Sequence, residues 1–124
     1  MVYVSEQRQQ QIVQRVLAAR AMKTERLAIM KKRQQDGLKA ARKMATCLKQ
    51  DFSAAKVILF GSLLKPEHMT FHSDIDLAVW GLEPRLLFKA GAAIDKFSDF
   101  EVDLIEFDKA PSYIQESILQ GLEL

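Results

Sequence analysis

The chain has 124 residues, 48% of them hydrophobic, with a formal net charge of +2 and one cysteine. That length supports one small domain with a real core, and the lone Cys47 excludes a disulfide framework and any zinc-type cysteine spacing. No run approaches membrane-spanning length, and residues 1–6 show neither a basic head nor an apolar h-region, so a soluble cytoplasmic protein is expected. The small net charge hides an asymmetry. Residues 1–50 hold twelve Lys/Arg against three Asp/Glu, a balance of +9, while residues 51–124 hold six against thirteen, a balance of −7. An acidic half suits a carboxylate metal site, and a basic half suits an acidic partner, nucleic acid or nucleotide phosphates.

In chain order, Ser5 is placed to cap a helix, with Glu6 in its first turn favourable to the helix dipole. From there to about Gln50 no proline occurs and helix formers dominate. Ile12, Val16, Ala19, Leu27, Met30, Leu38, Ala41, Ala45 and Leu48 recur at spacings that fit one helical face, interrupted by Lys23 and Gln34. Gly37 predicts a break or kink, hence a long N-terminal helix followed by a shorter one over residues 38–50. Two parts are expected, a helical region over residues 1–50 and a core over residues 51–124. The apolar stripe outruns what so small a core can cover, so the arm is expected to meet another chain. Its cations, among them Lys23, Arg26, Lys31, Lys32 and Arg33, read as a solvated face, because no aromatics interleave as on a nucleic-acid stacking platform. Cys47, within the helical pattern, reads as a core filler.

The second half carries three strand candidates. Val57-Ile58-Leu59-Phe60 stops at Gly61-Ser62, a buried strand ending in a tight turn. Backbone N–H groups there, with the Ser62 hydroxyl, suit phosphate oxygens. Residues 63–73 read as a turn or short helix and a loop; its His68 and His72, four apart, lack a third ligand for zinc. In Ser73-Asp74-Ile75-Asp76-Leu77-Ala78-Val79-Trp80, alternation puts Asp74 and Asp76 on one side and Ile75, Leu77 and Val79 on the other. Paired carboxylates repel unless a cation joins them, and oxygen ligands suit a hard ion such as Mg²⁺ bound together with phosphate. Trp80 reads as a packed edge aromatic. After Gly81, Pro84 opens a helix over residues 85–97, with Leu86, Leu87, Ala90, Ile94 and Phe97 as its buried stripe. The third strand, over residues 101–107, carries Asp103 between Val102 and Leu104, a carboxylate that needs a partner or a metal if buried. Pro111 opens the last helix, with Tyr113, Ile114, Ile118 and Leu119 expected inward and Gly121 just past its end.

A strand ending in Gly-Ser, then Asp-x-Asp, then a lone strand Asp, in that order, resembles the DNA polymerase β-like nucleotidyltransferase superfamily, and within it the minimal nucleotidyltransferases. The matching residues are Gly61, Ser62, Asp74, Asp76 and Asp103, and the resemblance covers residues 57–122. Residues 63–73 make a spacer one longer than is usual in the family, and Lys65-Pro66 stands where Arg-Gly is common. The resemblance implies an α/β minimal nucleotidyltransferase fold: a small mixed sheet with flanking helices, here preceded by a long helical arm. It implies metal-assisted nucleotidyl transfer, with Asp74, Asp76 and Asp103 holding two Mg²⁺ ions and Gly61, Ser62, Ser73 and Lys65 at the nucleotide. It further implies an antitoxin of the HEPN/MNT kind, which transfers AMP from ATP to a tyrosine of a co-encoded HEPN RNase toxin in a hetero-oligomer, with no membrane and no nucleic acid as direct ligand. Two alternatives stand beside it. One is a non-catalytic antitoxin that acts by binding; the other is a small-molecule nucleotidyltransferase of the aminoglycoside-modifying kind.

Overall fold

The computed structural model describes residues 5–124; residues 1–4, part of the segment read above as lacking a leader, lie outside it. One helix, α1 (Glu6–Asp51), leads into β1 (Lys56–Phe60), β2 (Ile75–Trp80), α2 (Leu87–Ile94), β3 (Val102–Glu106), α3 (Ser112–Leu119) and a two-residue β4 (Leu122–Glu123). The four strands form one mixed sheet in the order β3-β2-β1-β4. β1 pairs antiparallel with β2 and β4, and β2 pairs parallel with β3.

The two faces of this sheet follow from alternation. Val57, Leu59, Ile75, Leu77 and Val79 join the buried side chains of α1 and α2 in the main core. Ile58, Phe60 and Ala78 face the other way, into a smaller cluster closed by Ile118 and Ile114 of α3. Trp80 stacks on Phe107 at the far end of this second face, ring centroids 4.5 Å apart. It is packed as expected, at the end of a central strand.

Ser5 caps α1 as the sequence predicts, its hydroxyl accepting from Arg8 N–H at 3.2 Å. The helix does not break at Gly37. That glycine is buried, and a Cβ there would stand 2.6 Å from Leu63 Cδ1 and 3.3 Å from Phe100 Cζ. The missing side chain admits Leu63 against the helix; no flexibility is needed. At the far end Ser53 takes a left-handed φ of 59° and Ala54 N–H reaches Leu48 O at 3.0 Å.

From Met30 onward α1 lies against the sheet, with Met30, Ala41, Met44, Ala45 and Leu48 buried. Residues 5–29 are exposed without exception. The helix runs so that residues 33–37 flank the 62–73 loop and the entry to β3. Gln34 Nε2 donates to Leu63 O at 2.8 Å, Arg33 Nη2 donates to Phe71 O at 3.2 Å, and the Arg33 guanidinium lies over the Phe100 ring. Lys23, Arg26 and Leu27 still border Pro66 and Met69. Beyond them, residues 6–22 project past that end of the sheet by about 25 Å at ~1.5 Å per residue.

Several expected boundaries and facings differ. The helix expected over residues 85–97 is a 3₁₀ turn at Pro84–Leu86, the two-turn α2 and a second 3₁₀ turn at Asp95–Phe97. Phe97 falls in that last turn and is exposed, not in the buried stripe. In α3 only Ile118 is fully buried; Tyr113 and Leu119, expected inward, are exposed. A helix of eight residues presents one or two inward positions, and the apolar spacing alone does not fix its phase. β4 was not anticipated. It forms because Gly121 passes so close to β1 that a Cβ would meet Leu59 O at 2.3 Å, which lets Leu124 N–H reach Val57 O at 3.0 Å.

Candidate active site

The second face of the sheet is organised in rows. Parallel register sets Asp76 beside Asp103, and antiparallel register sets Phe60 on its other side. The next row is Ile58, Ala78 and Ile105, which belong with α3 to the smaller cluster. α3 therefore covers the middle of this face and leaves the carboxylate row open. Asp74, two residues before Asp76 and just ahead of β2, completes the group. One carboxylate oxygen from each of Asp74, Asp76 and Asp103 lies within 4.8 Å of the others.

Asp74 and Asp76 are half-buried, while Asp103 is exposed. Asp103 is not enclosed, so the need for a partner that burial would create does not arise; its neighbours Val102 and Leu104 point to the opposite face. Among the described residues no lysine or arginine forms an ion pair with the three. Their mutual repulsion is left in place. Burial, then the charges of Asp103 and Asp74 and a hydrogen bond with Asp103, push the Asp76 carboxyl up from 3.8 to about 6. A group of three oxygen donors held at this separation, with one of them reluctant to ionise, fits a hard divalent cation by donor chemistry and charge.

Gly61 ties the phosphate-loop candidate to the carboxylates. Its φ of +85° and ψ of −160° belong to a region essentially reserved for glycine. A Cβ here would stand 2.3 Å from Asp76 Oδ2. The backbone at the end of β1 thus grazes the central carboxylate, and any side chain would fill the space a metal or phosphate needs. Ser62 follows in a 3₁₀ turn, Ser62–Leu64, anchored by the fully buried Leu63. Lys65 is exposed where this turn meets the next, Pro66–His68. Ser73 is buried, and its hydroxyl accepts from Thr70 N–H at 2.9 Å, which shapes the turn leading into Asp74. The structure brings Gly61, Asp74, Asp76 and Asp103 together and sets Ser62 next in the chain. It turns the Ser73 side chain into its own loop. His68 and His72 are exposed and belong to no metal-ligating group among the described residues.

Arg33, expected on a solvated face, is instead partly buried and together with Gln34 fastens the 62–73 loop to α1. Gln34 had looked only like an interruption of an apolar face. A polar side chain on such a face needs a hydrogen-bond partner, and that was the available signal.

The family described as "Polymerase beta, Nucleotidyltransferase" matches residues 42–124. The chain belongs to this nucleotidyltransferase family. The match takes in the last part of α1, the whole sheet and all three carboxylates, and leaves residues 1–41 outside. Among solved structures, a toxin–antitoxin crystal structure with AMP-PNP aligns at 23% identity and a TM-score of 0.53, over 65% of this chain and 69% of the other, and so shares the nucleotidyltransferase fold. A candidate minimal nucleotidyltransferase aligns at 20% identity and a TM-score of 0.46, over 77% of this chain and 92% of the other. No curated protein matches the sequence. No helix among the described residues is long and apolar enough to cross a membrane.

Proposed function

We propose that this nucleotidyltransferase is an antitoxin that transfers AMP from ATP to a tyrosine hydroxyl of a partner HEPN RNase toxin. The observation that carries the reading is the row of Asp74, Asp76 and Asp103 at the uncovered end of the sheet, with Gly61 pressed against it. Two Mg²⁺ ions bound there would neutralise phosphate charge and stabilise the attacking and leaving oxygens of an in-line displacement. Asp74, Asp76 and Asp103 would hold the ions, and Gly61 and Ser62 would offer backbone N–H groups and a hydroxyl to the triphosphate. Lys65 is the nearest cation in sequence to that loop and serves as its charge partner, while Ser73 acts by shaping the turn into Asp74. Asp103, exposed at the rim, faces the incoming acceptor and takes the tyrosine proton. The tyrosine oxygen forms a bond to the α-phosphorus, the bond from that phosphorus to the bridging oxygen breaks, and pyrophosphate leaves.

The openness of the site supports a macromolecular acceptor. Among the described residues α3 stops short of the carboxylate row, and a protein docked over that open row would supply the binding energy that aligns its hydroxyl. The fold shared with a toxin–antitoxin structure that holds AMP-PNP supports the same direction. Intact-mass measurement of the partner toxin after incubation with ATP and Mg²⁺ is expected to show added AMP, and none with Asp76→Asn. If that variant suppresses toxicity as well as the wild type and no mass is added, the chain acts by binding alone and the catalytic reading fails.

A further inference from the structure

The first half of α1 has a surface that neither the sheet nor the candidate site explains. Ile12, Val13, Val16 and Leu17 lie at i, i+1, i+4 and i+5, on one side of the helix across two turns, and are 43–57% exposed. Arg8, Arg15 and Arg20 surround them at helical neighbour spacings. Between residues 6 and 33 there are eight Lys/Arg against two Asp/Glu. The patch therefore has the make-up of a small docking site, an apolar centre with a charged rim of one sign. Its place in the fold is equally specific. α1 leaves the body beside the 62–73 loop, at the end of the sheet where Gly61 and the carboxylates lie, so whatever sits on residues 8–20 is held near that end.

We propose that this arm docks the acceptor protein: an acidic surface with an apolar centre seats on Ile12, Val13, Val16 and Leu17 between Arg8, Arg15 and Arg20. The proposal rests on the nucleotidyl-transfer reading for its account of why the acceptor is needed there. Charge selects the occupant. A second arm from another copy would bring its own excess of cations into contact with this one. A nucleic acid would leave the aliphatic side chains in water, and residues 6–29 contain no aromatic on which a base could stack. A bilayer surface needs one continuous apolar side. At 100° per residue Arg20 and Lys23 fall within the side that carries Ile12, Val13, Val16 and Leu17, and Met22 and Ile29 lie well round the helix from it, so the apolar side is not continuous.

The test uses the full chain and two double variants at exposed positions, Arg15→Glu with Arg20→Glu, and Ile12→Ser with Val16→Ser. The probes are the purified products of the flanking reading frames, a short DNA duplex, and vesicles of phosphatidylcholine with phosphatidylglycerol. Expected is binding of an acidic flanking product by the wild type, weaker at raised salt, and at least tenfold weaker with either variant, while Mg²⁺-ATP binding is unchanged. The proposal is overturned if no flanking product binds, if the variants bind it equally, if DNA or vesicles bind more tightly than the protein, or if sedimentation shows a wild-type dimer that the variants dissolve. Docking through the arm without added AMP would sink the transfer reading and leave the docking intact. AMP added equally by the variants would do the reverse.

Discussion

The two faces of this four-stranded sheet are built from the same alternating strands and meet opposite fates. One is sealed along its length by α1 and α2, with Leu59, Ile75 and Leu77 wholly out of solvent. The other is covered by α3 only over its middle rows, and its last row is given to Asp76 and Asp103. The sealed face holds the fold together, and the open one holds three carboxylates with which no lysine or arginine among the described residues forms an ion pair. The division shows how a domain this small accommodates a destabilising group: it confines the repulsion to one end of one face, where solvent screens it and a cation can enter.

Substitutions should separate the faces, beginning with the largest effect. On the sealed face, Leu77→Ala is expected to cost about 3–5 kcal/mol of stability by denaturant unfolding, whereas Ile105→Ala on the open face should cost about 1 kcal/mol, because Ile105 is only partly buried. Equal costs would mean that the two clusters support the fold alike. Gly61→Ala should next cost about 1–3 kcal/mol of stability, because its backbone conformation is strained for any other residue, and should disturb the site as well. Its methyl group must displace the Asp76 carboxylate, so Mg²⁺-dependent nucleotide binding should fall by about a hundredfold or more, near 2.7 kcal/mol. Nucleotide binding within threefold of wild type would show that the close approach has no part in the site.

The smallest effect is one of pH. In the folded metal-free chain Asp76 keeps its proton up to about pH 6, while in the unfolded chain it ionises near 3.8. The folded state therefore binds more protons between those values, and stability should fall as pH rises from about 4 to 6, then level off. The carboxyl is half-exposed, so the loss should stay below about 2 kcal/mol. Asp76→Asn should remove this slope and raise the stability of the metal-free chain at pH 7.5. Mg²⁺ affinity should weaken below about pH 6, where protons compete for the same oxygens. A slope of unchanged size in Asp76→Asn would assign it to another group.

The sequence made the strands and the order of the carboxylates legible because each rests on local alternation: Val57 to Phe60 is apolar throughout, and Asp74 and Asp76 stand two apart. What escaped depends on what lies across space. Gly37 looked like a kink, and only the position of Leu63 shows that the glycine serves close packing. Tyr113 and Leu119 looked inward-facing because a two-turn helix carries too few residues to fix its phase. The link between Gly61 and Asp76 could be guessed from the Gly-Ser turn but not measured, since it depends on the pairing of Phe60 with Asp76. Ser73 and Lys65 differ in what the fold adds to the motif: the Ser73 hydroxyl accepts a hydrogen bond within its own turn, and Lys65 is exposed beside the Gly61-Ser62 turn.

Trp80 is the chain's single tryptophan, stacked on Phe107 with the Lys56 ammonium 4.9 Å from its ring. It stands on the same face as Asp76, two alternate positions along β2 and at the opposite end from the carboxylates. The indole is thus a built-in optical probe of the less protected side of the sheet, remote enough to escape direct contact with a bound nucleotide. Its emission reports whether β1, β2 and the chain leaving β3 remain assembled, so that a loss of metal binding can be told apart from a loss of the strands that present the carboxylates.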